Sequence, residues 1–211
     1  IMLVLILTVL YLARQGFSVL GRWSSIICAI ISINIILTIL FSLNIMDPSH
    51  ILPVMNHTPH AILSDSFALG SIAVGETVMM MVILGNRKKG RSAYRIYLPG
   101  VLLGVCLFAL IILRNILILG PDLENAAKFS TYMAVRIIEV GSFFERIESS
   151  VSFVYILLGI TKMTLFLSGT AMGFSRLLKV ADYKKLLIPA GLLVLAVGTL
   201  VFHNAFEMFD L

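Results

Sequence analysis

The sequence predicts an all-α membrane protein, and three observations predict it. Hydrophobic residues make up 59% of the 211, mean hydropathy is +1.03, and only 13% are charged. A soluble domain is nearer half apolar and a quarter charged. Apolar runs long enough to cross a bilayer, about 20 residues of helix, recur along the chain, and the basic residues gather in alternate connections between them. The net charge of +5 is the excess of Lys and Arg that cytoplasmic loops carry, so it does not point to nucleic acid. Cys28 and Cys106 both fall inside apolar runs, which suits buried or lipid-facing thiols better than a redox pair.

The chain opens on Ile1-Met2 within an apolar stretch, without a basic n-region or cleavage motif. No signal peptide is expected, and the sequence reads as a piece incomplete at both ends. Residues 1–13 are the tail of one span. A polar joint follows, with Arg14, Arg22 and the interfacial Trp23, as suits a headgroup layer. Residues 24–45 form a charge-free span that Asp47-Pro48 stops, and 46–65 make a loop with Pro48, Pro53 and Pro59. Further spans are expected over 66–84, 93–118, 150–173 and 186–202. Between them, 119–149 holds most of the acids and reads as an external amphipathic segment.

Charge sets the orientation. Arg14, Arg22, Arg87, Lys88, Lys89, Arg91, Arg95, Arg176, Lys179, Lys184 and Lys185 fall on one side, which the positive-inside bias makes cytoplasmic. The four histidines, His50, His57, His60 and His203, fall outside. Their spacing matches no standard ligand pattern, so solvated loop histidines are expected and no metal site.

Two groups are costly at bilayer depth. Glu76 lies within the span 66–84 beside Gly75, where a carboxylate costs roughly 2.5–3.5 kcal/mol on the lowest scales. Ala73-Val74-Gly75-Glu76 therefore reads as the break in a discontinuous helix, where backbone groups could meet a ligand. Lys162 lies near the centre of 150–173, and Thr161, Thr164 and Ser168 add hydroxyls on one helix face. The expected ligand-binding set is Ala73, Val74, Gly75, Glu76, Thr161, Lys162, Thr164 and Ser168. Arg114, near the outer end of its span, is expected to snorkel. No nucleotide loop or nucleophile–base arrangement is present, so neither an enzyme nor a cofactor is expected.

Several stretches resemble the spore germination protein family. They are Phe67 through Glu76, Ile51-Leu52-Pro53-Val54, Gly16 through Arg22, and above all Arg136-Ile-Ile-Glu139 through Phe143-Phe-Glu145-Arg146-Ile-Glu148, followed by Tyr155 and Thr161-Lys162. The resemblance is to the GerAB-type B subunits of nutrient germinant receptors, a branch of the amino acid–polyamine–organocation transporter superfamily. It implies a LeuT-like fold of ten helices in two inverted repeats, of which this chain would carry about helices 4–9. It further implies a small nutrient, an amino acid, as ligand, A and C receptor subunits as partners, and the spore inner membrane as location. An amino-acid secondary transporter driven by H⁺ or Na⁺ is the alternative use of the same fold.

Overall fold

The computed structural model describes residues 2–52, 58–80, 92, 94–138 and 147–201; within these, the side chains of 72–74, 96, 147 and 148 are not described. Among the described residues all regular structure is helical. Seven α-helices follow in order: α1 (Met2–Gln15), α2 (Phe17–Ser42), α3 (Pro59–Gly75), α4 (Tyr94–Ala126), α5 (Ser130–Arg136), α6 (Ile147–Leu177) and α7 (Lys184–Val201). Short 3₁₀ turns occupy Pro48–Ile51 and Glu76–Met79. Five helical segments are long and apolar enough to cross a membrane: Phe17–Ser42, Pro59–Met79, Tyr97–Ala126, Ser149–Leu177 and Lys184–Val201.

Local chemistry explains the ends. The polar joint expected over 14–23 shrinks to Gly16, whose φ of 90° is accessible to glycine at little cost. From Phe17 onward the chain is helical again, so Arg22 and Trp23 ride on α2. The 3₁₀ turn at Pro48 starts on Asp47, whose carboxylate accepts the Ser49 N–H at 2.9 Å. A hydrogen bond from the Ser49 side chain, with this backbone bond adding to it, holds the Asp47 carboxyl below its usual value of 3.8. α4 carries Pro121 and bends at Gly120, where φ is 73°. At the end of α6 the Val180 N–H bonds to the Ser175 carbonyl at 2.9 Å, with Lys179 at φ 54° in the left-handed position that usually takes glycine. Asp182 then accepts the Lys184 N–H at 3.0 Å and opens α7. Beside it, burial raises the Tyr183 hydroxyl's pKa, with the Asp182 charge adding to the effect.

The chain divides into two compact units, residues 1–29 with 155–211, and residues 30–154. In the first, Val9, Ala13, Leu167, Ala171 and Leu187 form a core shared by α1, α6 and α7. α1 and α7 approach closely at Gly191: a Cβ there would lie 3.0 Å from Leu10 Cδ2. An apolar cavity of about 680 Å³ lies among the same three helices, lined by residues such as Ile6, Phe166, Thr170 and Val194. Among the described residues, the second unit has two small cores. Val135, Ile138 and Val151 pack with Phe41, and Ile118, Leu119 and Ala134 pack with Met46.

The contact at Gly191 leaves no room for a branched side chain. Gly191→Leu should destabilise the full-length protein by roughly 1–3 kcal/mol, the usual cost of overpacking, and lower its thermal midpoint in nanodiscs. Gly191→Ala should shift it far less, because the atom it meets is the flexible end of Leu10.

Candidate functional site

The expected break at 73–76 is not an interruption of the backbone. α3 stays α-helical through Ala73, Val74 and Gly75, and Gly75 itself has φ −57° and ψ −37°. At Glu76 the winding tightens to 3₁₀ and continues to Met79. Glycine permits unwinding but does not force it. With no proline near, the helix keeps its hydrogen-bond ladder, which a bilayer makes expensive to give up. The carboxylate therefore sits at a change of winding in place of a gap. Gly75 and Glu76 are exposed, and a Cβ on Gly75 would meet nothing within 4 Å. The tight turn is tied to α4 by a hydrogen bond of 2.6 Å between the Thr77 and Tyr97 hydroxyls, a pairing with no signal in the sequence.

α3 also starts earlier than the expected span, at Pro59, which brings Asp65 onto the helix. Asp65 and Glu76 are eleven residues apart, three helical turns, so on continuous α-helix they share a face.

The expected residues of α6 divide between two faces. Thr164 and Ser168 are buried, at 0% and 3% exposure, whereas Lys162 is exposed. Thr164 donates to the Ile160 carbonyl at 2.7 Å and Thr161 to the Leu157 carbonyl at 2.8 Å, the back-bonding by which hydroxyls settle on their own helix. Thr161 also accepts the Trp23 indole N–H at 3.1 Å, joining α2 to α6. These hydroxyls therefore fasten helices together, and the structure does not gather them around Lys162. Glu76 belongs to the second unit and Lys162 to the first.

A residue expected to snorkel does the opposite. Arg114 is only 3% exposed. Its guanidinium donates to the Thr38 hydroxyl at 2.9 Å and to the Asn115 side-chain oxygen at 2.6 Å. Thr38 passes its own proton to the Ile35 carbonyl, which leaves its lone pairs free to accept. Asn115, oriented by the arginine, donates to Ser130 and Thr131 at 3.3 and 3.1 Å. One cation thus directs a chain of hydrogen bonds across α2, α4 and α5. Snorkelling fails because the neighbouring helices cover the side chain and supply acceptors. In a sequence, Arg114 beside Asn115, with Thr38 and Ser130-Thr131 elsewhere, gives no sign that they meet.

The histidines also differ from solvated loop residues in one case. His50 is half-buried, and its Nδ1 lies 3.1 Å from the Leu117 carbonyl. His60 is exposed, while His57 and His203 lie outside the described residues. No cluster of metal-ligating side chains occurs among the described residues.

With this geometry established, comparison with known proteins supplies the family. The family model described as "Spore germination protein" matches residues 1–205. The chain belongs to the spore germination protein family. Spore germination protein KB of Bacillus subtilis (strain 168) is 24% identical over 203 residues, covering 94% of this chain and 54% of the relative. Putative spore germination protein YfkT of the same organism is 25% identical over 207 residues, covering 98% and 56%. The chain thus spans about half the length of these curated relatives. No solved structure matches it. The spore germination family and the five membrane-length helices together make this a multi-pass membrane protein.

Two tests follow from this site. Arg114→Met should cost roughly 1.5–3 kcal/mol, the worth of hydrogen bonds to a charged group, read by thermal unfolding of the full-length protein. Arg114→Lys, which keeps the charge without the planar fork, should fall between. The second concerns acid. Because the folded-state pKa of Asp47 is depressed, its contribution is complete above 3.8 and is lost as pH falls through the lower folded value. Stability measured from neutral pH down to about pH 3 should fall less steeply in Asp47→Asn than in wild type.

Proposed function

We propose that this chain is part of the membrane-embedded B subunit of a spore germinant receptor, sensing a small nutrient and triggering germination. One observation carries the reading: a spore germination family member places a carboxylate, Glu76, at a change of winding inside a membrane-length helix. A charge there is retained against a cost of several kcal/mol, and an ionisable group kept within a span marks a ligand or ion path by default. The ligand is an amino acid, whose ammonium Glu76 meets. Ala73, Val74 and Gly75 form the helical turn that leads into Glu76. On α6, Lys162 stands in for a coupling cation, with Thr161, Thr164 and Ser168 shaping the helix behind it. The framework is the inverted-repeat fold of amino-acid transporters, used here to signal. Binding shifts the helices, and A and C subunits in the spore inner membrane receive the change.

The test uses spores carrying the complete receptor with Glu76→Gln or Lys162→Met. The half-maximal nutrient concentration should rise about tenfold or more in each, the equivalent of losing roughly 1.4 kcal/mol of binding. Wild-type dose–response curves from both variants would remove these residues from the mechanism.

A further inference from the structure

We propose that His50 is the second donor of a latch that pins the outer connection to the end of α4, and through it positions the start of α3. The nutrient response read from this latch rests on the function proposed above; the latch itself does not.

The latch begins with a missing proton. In an α-helix the N–H of residue 121 would bond to the carbonyl of residue 117. Residue 121 is proline, which has no N–H. The non-helical torsions of Gly120, φ 73° and ψ 164°, end the helical ladder at the same place. The Leu117 carbonyl is therefore left open at the bend, and an open carbonyl among apolar side chains requires a donor from elsewhere. Two donors come from one connection. The Asp47 N–H reaches it at 2.9 Å and His50 Nδ1 at 3.1 Å.

A carbonyl can only accept, so Nδ1 must carry the hydrogen. Asp47, the charged neighbour of His50, commits its carboxylate to the Ser49 N–H.

Gly120 completes the seat. Its positive φ makes the turn that presents the carbonyl, and a Cβ there would come within 3.5 to 3.6 Å of three His50 ring atoms. The ring therefore lies flat against a backbone with no side chain. Met46, just before the latch, packs on Ile118, Leu119 and Ala134. The far end of the connection is Pro59, where α3 starts. It is seven residues beyond Leu52, a reach of at most about 25 Å. Holding 46–52 on α4 thus limits where the helix bearing Glu76 can begin. His50 is a positioning residue, and its side chain is the removable half of the pair of donors.

The experiment uses the full-length protein in its receptor, with two independent readouts. Hydrogen exchange of the peptide spanning residues 46–52 reports the latch directly. The nutrient dose–response of spores reports its consequence. His50→Ala should speed exchange about tenfold, the effect of one lost hydrogen bond on local opening, and should shift the half-maximal nutrient concentration. His50→Asn, whose amide keeps a donor near Nδ1, should restore both. Unchanged exchange in His50→Ala overturns the latch. Faster exchange with an unmoved dose–response overturns its role in the response. Wild-type spores indifferent to every amino acid would instead sink the sensing reading, while the exchange measurement still decides the latch.

Discussion

Inside a bilayer a backbone carbonyl, hydroxyl or guanidinium has no water to turn to, and every polar group must find a partner in the protein. The described chain is organised around that constraint. Thr161 and Thr164 return their protons to carbonyls one turn back, and Trp23 uses the remaining capacity of Thr161. The two terminal nitrogens of Arg114 donate to Thr38 and Asn115, and Asn115 donates to α5. Pro121 opens one carbonyl, and the connection after α2 closes it. Helices of this apolar composition gain little from association through burial alone, because lipid tails are as apolar as leucine. Hydrogen bonds and close approaches such as Gly191 on Leu10 are therefore what make the packing specific.

The same constraint separates two kinds of polar residue. Groups that are covered and served by neighbours, such as Thr161 and Arg114, hold helices in place. Glu76 and Lys162 are exposed in the described chain. Each is an ionisable group kept within a membrane-length helix, which supports reading them as functional. Their expected company changes, however: the α6 hydroxyls face away from Lys162, and Glu76 keeps company with the Thr77–Tyr97 pair.

The class of the protein and its family were legible because each rests on additive signals. Hydropathy sums over a span, and family likeness sums over short stretches spread along the chain. What was not legible depends on meetings between distant residues or on a single backbone torsion. Gly75 beside Glu76 looked like a break, yet glycine only lowers the barrier to one, and the ladder held. Arg114 looked like a snorkelling residue because its acceptors lie 76 positions back on α2 and next door on α4. Pro121 was the one clue to the outer latch available from sequence. Its missing proton identifies the open carbonyl, but nothing local says that Asp47 and His50 will fill it. Residues 139–146, part of the stretch most like the family, lie outside the described structure.

The central claim is that a spore germination protein of this architecture binds a nutrient itself. Equilibrium binding of a radiolabelled amino acid to the purified full-length receptor in nanodiscs tests it most directly, using the amino acid to which the parent spores respond. The account predicts saturable binding that competes with unlabelled nutrient and weakens when Glu76 is neutralised. A correctly folded receptor showing no saturable binding, from spores that still germinate on that amino acid, would contradict it.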